Sequence, residues 1–123
     1  MPYKIEVYPE DGYISLEHEG NIMLDEINEA RTEVIEQMME HQIPNGLISV
    51  LGVSNRLSTF EAYFVTEAHG KVKHPAMRGA ILARPDQMTD VKFMETVARN
   101  RGMNIRAFDN RDEALAWLRI GRF

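Results

Sequence analysis

Ser58-Thr59-Phe60-Glu61 is the stretch whose residue types and spacing most directly suggest chemistry. A serine three residues ahead of a glutamate has the form of a capping box. The hydroxyl accepts from a backbone N–H of the first helical turn, and the glutamate reaches back. Such a cap is worth about 1 kcal/mol. A phosphate suits the same place, because free N–H groups and the positive dipole end of a helix attract an anion. Ser58 and Thr59 are therefore phosphoacceptor candidates, with Arg56 near enough in sequence to assist. Cap and phosphoacceptor use one geometry and can both be true.

Phe60, Tyr63, Phe64 and Val65 place apolar groups on more than one face of the helix that follows. One face must pack on a sheet; any left over could roof a pocket or join a dimer. Met88 and Met94 are core fillers by type, and with Phe60 and Phe64 they could also line a cavity for an apolar ligand. Lys71, Lys73, His74 and Arg78 form a basic cluster. It reads as a solvated loop or as an anchor for an anionic partner, such as the acidic helix of a second copy. No two of His18, His41, His69 and His74 have the i, i+4 spacing of a helical metal site, so solvated loop histidines are expected and no metal. There is no G-x-S-x-G, H-E-x-x-H, P-loop or G-x-G-x-x-G sequence, so no catalytic residue is nominated.

The elements that must position these residues follow from periodicity. Ile5 and Val7, then Tyr13, Ile14 and Leu16, alternate around Pro9-Glu10-Asp11-Gly12, which predicts a β-hairpin closed at Gly20. Met23, Ile27, Ala30, Val34 and Met38 recur at helical spacing, widened by Ile35 and Met39. They predict a helix over 22–42, with Asn21 as N-cap and Pro44-Asn45-Gly46 as its stop. Leu47–Val53 and 79–83 are short apolar runs of the kind buried in parallel sheets. Helices are expected over 59–69 and 88–101, the latter capped by Gly102. An alternating strand over 103–108 and a short helix capped by Asn110 finish the chain. The order is ββαβαβαβα: one α/β domain over residues 1–123, a mixed, mostly parallel five-stranded sheet with four helices.

Composition bounds the rest. A chain of 123 residues is the size of one domain and large enough to bury a core without staples. It has no cysteine, which excludes disulfides and thiolate chemistry. Its net charge is −5, unevenly placed: residues 1–43 hold 11 acids and 2 bases, and residues 44–123 hold 8 acids and 12 bases. An acidic chain argues against non-specific nucleic-acid binding. Met1-Pro2-Tyr3-Lys4 lacks a signal-peptide run, and no stretch approaches the length of a membrane span, so the expected location is cytoplasmic.

Three places resemble the STAS fold of sulphate transporters and anti-sigma factor antagonists, and more closely the small stand-alone bacterial proteins called SpoIIAA-like. They are the Gly20 turn into the acidic helix, the strand Leu47–Val53 running into Ser58-Thr59-Phe60, and the tail from Arg106 through Asp112-Glu113-Ala114-Leu115-Ala116-Trp117-Leu118. The resemblance spans the chain. It implies a regulatory interaction module switched by phosphorylation of a serine after the third strand, where Ser58 or Thr59 stands here. The family's Asp before that serine and Gly after it are absent, and Phe60 fills the latter place. The resemblance also extends to CRAL-TRIO-type lipid carriers, which implies an apolar ligand. The expectation is a non-enzymatic STAS-like module acting on a protein partner or on itself as a homodimer, without cofactor. The alternative is a carrier or sensor of a lipid or fatty acid under the second helix.

Overall fold

The computed structural model describes residues 3–54, 77–100 and 102–119. The chain first turns back at Pro9–Gly12, where Gly12 takes φ +76 and its N–H donates to the Tyr8 carbonyl at 2.9 Å. A left-handed φ there favours glycine. The turn joins β1 (Tyr3–Tyr8) to β2 (Tyr13–Gly20) antiparallel, Tyr3 opposite His18 and Tyr8 opposite Tyr13. The rings of Tyr8 and Tyr13 stack at 4.7 Å and close the hairpin.

Helix α1 (Leu24–His41) buries Ile27, Ala30, Val34 and Met38, the residues its 3.6 period placed on one face. Two boundaries differ from expectation. The N-cap position is Met23, 63% exposed and without a side-chain cap, rather than Asn21. The stop is Gln42, which adopts φ 55, while Ile43 N–H donates to the Met38 carbonyl. That left-handed residue ends the helix before Pro44, so Asn45 and Gly46 are free to open β3 (Asn45–Val53) rather than form a turn.

β4 (Arg78–Leu82) and β5 (Ile105–Phe108) complete a five-stranded sheet in the order β1-β2-β3-β4-β5. β2 through β5 run parallel, and only β1 is antiparallel. Between β4 and β5 lie one 3-10 turn (Pro85–Gln87) and α2 (Met88–Asn100); α3 (Arg111–Leu118) follows β5. Asn110 caps α3 as expected, its side chain accepting from Glu113 N–H at 3.0 Å. Among the described residues there are three helices; the fourth, expected over 59–69, lies outside them.

Parallel strands laid down in sequence order with crossovers of one hand put every crossover on the same face. α1 and α2 accordingly share one face. α1 covers Tyr3, Ile14 and Leu16, and α2 packs with Val50, Ile81, Ile105 and Ala107; Ile48 touches both groups. Among the described residues α3 is the one helix on the opposite face, its Ala114 and Leu118 on Leu47, Ala80 and Leu82. Tyr13 of the hairpin packs at the margin of this cluster. No helix among the described residues is long and apolar enough to cross a membrane.

Candidate functional site

Strand alternation aims Tyr3, Ile5 and Val7 of β1 at the face that α1 covers. β1 is the edge of the sheet, so its outer side pairs with no strand among the described residues. Between it and α1 runs a groove of about 300 Å³, lined by Tyr3, Ile5, Val7, Glu33 and Gln37. Its floor is apolar and its far wall is the acidic side of α1.

Tyr3 closes one end. Its ring is buried, 5% exposed, and its hydroxyl lies 2.6 Å from Glu33 Oε2 and 3.0 Å from Glu29 Oε1. The hydrogen bond to Glu33, then burial, then the hydrogen bond to Glu29 hold the phenol well above its usual range, because a phenolate beside two carboxylates is strongly disfavoured. Glu29 and Glu33 are one helical turn apart, a like-charge pair that costs an isolated helix a few tenths of a kcal/mol. One phenolic proton serves both. Among the described residues neither carboxylate has a cationic partner within ion-pair distance.

His18 sits behind this end, opposite Tyr3, at a register irregularity between Glu17 and Glu19. It is 2% exposed and its ring centroid lies 6.3 Å from that of Tyr3. Burial lowers its pKa to about 4, so it is neutral at physiological pH. This corrects the expectation of solvated loop histidines: His18 is a buried strand residue. His41 ends α1, exposed and hydrogen-bonded to Gln37. No cluster of three or more metal-ligating side chains occurs among the described residues.

A second polar assembly locks the carboxyl ends of β3 and β4. Arg84 donates to the carbonyls of Leu51 and Val53 and pairs with Asp86 at 3.0 Å. That contact lowers the Asp86 pKa. The buried Gln87 side chain accepts from Arg84 N–H and donates to the Val50 carbonyl, both at 2.8 Å. Every strong donor here is spent on backbone or on its neighbour, so this end of the sheet reads as structural.

Of the candidate site residues, three lie among the described residues; the fold brings Met88 and Met94 to one core cluster and leaves Arg78 apart. Met94 is 1% exposed and Met88 is half-buried; both pack into the core with Val91 and Ile105, away from the groove. Arg78 opens β4, where its guanidinium stacks 4.8 Å from the Trp117 ring and donates to the Trp117 carbonyl at 2.9 Å. Ser58, Thr59, Phe60, Tyr63, Phe64, Lys71, Lys73 and His74 lie outside the described residues. Sequence reasoning missed Tyr3, Glu29 and Glu33. Two signals were present: Tyr3 extends the alternation of Ile5 and Val7, and an uncompensated Glu pair at i, i+4 asks for something opposite it.

Comparison with protein-family models, with curated proteins and with solved structures finds no match to this chain.

Proposed function

We propose that this chain is a non-enzymatic interaction or regulatory module of the STAS type, and that a protein partner docks along the outer edge of β1. The observation that carries this reading is the edge of β1, which pairs with no strand among the described residues, beside a groove that α1 walls with Glu33 and Gln37. A sheet edge offers a row of backbone N–H and C=O groups, which is a template for another strand. The groove beside it supplies side-chain selectivity. The mixed five-stranded sheet, with its antiparallel first strand, agrees with the architecture the resemblance implies. The carrier reading gains no support from Met88 and Met94, which are packed into the core.

The test is a benzophenone amino acid in place of Val7, irradiated in cells that make the protein. The adduct is identified by mass spectrometry and the complex reconstituted from purified components. A defined partner captured at Val7 and not at Arg106, on the opposite sheet edge, supports the reading. Absence of a Val7 adduct, or equal capture at both edges, overturns it.

A further inference from the structure

The two walls of the groove run in step. Tyr3, at the start of β1, meets Glu29 and Glu33; Val7, near its end, shares the groove with Gln37. Along this edge β1 and α1 therefore advance in the same direction. Alternate residues of a strand are separated by about 6.8 Å, and residues four apart on a helix by about 6 Å. A strand added outside β1 would lie about 4.8 Å from it. Every second side chain of that strand would face the row Glu29, Glu33, Gln37 at nearly matching intervals.

Charge decides which strand fits. Residues 1–43 carry 11 acids against 2 bases, and the wall of the groove is drawn from that segment. A second copy paired edge to edge through β1 would set one acidic α1 against another. Lys4 and Glu6 could exchange partners across such a dimer, but they already bind each other within one chain at 3.0 Å, an exposed contact that gains little by exchange. Facing Glu29 and Glu33 of both copies gain no cation from the described residues of such a dimer. An acidic or neutral segment brings none either.

We propose that the β1 edge takes an extended peptide segment of the partner that carries Lys or Arg at every second position, with the intervening residues turned away from α1. The peptide pairs backbone to backbone with β1 as a sixth strand. Its cationic side chains reach past Tyr3 and Ile5 to the carboxylates of Glu29 and Glu33, and one farther along, beside Val7, meets the amide of Gln37. This inference rests on the docking reading above and adds the chemistry of the occupant.

The test uses three capped octapeptides with the full chain: alternating Lys and Val, alternating Ser and Val, and alternating Glu and Val. Affinity is read by fluorescence anisotropy at low salt, and the contact surface by amide chemical shifts. The expected result is that Lys-Val binds roughly tenfold or more tighter than Ser-Val, that Glu-Val does not bind, and that the advantage fades at about 300 mM salt. Shifts centre on β1 and on Glu29–Gln37. Glu29→Gln and Glu33→Gln each weaken Lys-Val by up to about fivefold, and the double reversal Glu29→Lys, Glu33→Lys moves the preference to Glu-Val. Equal binding of Lys-Val and Ser-Val at β1 overturns the charge rule and leaves edge docking standing. Binding that shifts other surfaces, no binding at all, or a β1-mediated dimer in sedimentation that excludes the peptide overturns the proposal. The peptide series needs no variant, so a substitution that fails to fold does not decide it.

Discussion

Tyr3 and Glu33, 30 residues apart, join the first strand to the first helix through a 2.6 Å contact from phenol oxygen to Oε2. Among the described residues it is the shortest side-chain contact tying the edge strand down, and Glu29 supports it at 3.0 Å. A hydrogen bond to a charged group contributes about 1.5–3 kcal/mol when its loss strands a buried partner. Both carboxylates here are exposed and regain water when the hydroxyl goes. Tyr3→Phe should therefore cost about 1 kcal/mol in urea unfolding, at the low end. The groove floor keeps its ring. Burial raises the Tyr13 phenol as well, so alkaline titration followed by tyrosine absorbance should show Tyr3 ionising last, after Tyr13, and Tyr3→Phe should abolish that final phase.

His18 makes stability depend on pH. Its folded pKa is about 4 against an ordinary 6.5, so between these values the unfolded chain binds a proton that the folded chain refuses. Stability from this source is fully present above pH 6.5 and is lost as pH falls toward 4. The full window is worth roughly 3 kcal/mol, with a slope of at most about 1.4 kcal/mol per pH unit. Chemical denaturation of wild type should weaken steadily from pH 7 to pH 4. His18→Phe should remove most of that slope; an unchanged slope would place the titration elsewhere.

His18 also shows where sequence reasoning stopped short. Ile14, Leu16 and His18 follow one period-2 register, and the first two were enough to predict the strand. A histidine at the third position is an inward residue by spacing and an outward one by type, and spacing wins once β2 is sandwiched between β1 and β3. Elements whose signal is local were readable among the described residues, apart from the two ends of α1. The stripe of Ile27, Ala30, Val34 and Met38, the apolar runs of β3 and β4, and the Asn110 cap each need only neighbouring residues. The groove was not readable, because it depends on which helix face a distant edge strand meets. Tyr3 finds Glu29 and Glu33 only after the hairpin has paired and α1 has crossed back over it.

Arg78 and Trp117 give a second stability test with a built-in reporter, since Trp117 is the sole tryptophan. The guanidinium stacks on the indole and bonds to its carbonyl, so it ties the end of α3 to the start of β4. The stacking is worth about 0.5–1 kcal/mol at a partly exposed site and the charged hydrogen bond somewhat more. Arg78→Ala should cost about 2 kcal/mol and change the fluorescence of Trp117 before unfolding begins. Arg78→Lys should recover only part of the loss, because an ammonium cannot stack flat while bonding the carbonyl.

Gln87 tests the lock at the carboxyl end of the sheet. Its amide is 6% exposed, accepts from Arg84 N–H and donates to the Val50 carbonyl, so both of its ends are used. Gln87→Ala strands a backbone donor and a backbone acceptor in a dry setting, at about 1–3 kcal/mol each, less whatever water enters the space. Gln87→Glu separates the two contacts. The carboxylate still accepts from Arg84 N–H, but its second oxygen faces the Val50 carbonyl with no proton between them. That buried repulsion raises the new acid's pKa, and protonation restores a donor in the place of the lost amide. The stability gap between wild type and Gln87→Glu, measured by urea unfolding, should be large at pH 7 and narrow at pH 5. A gap that does not change with pH would mean that the side chain leaves its site and the lock opens to water.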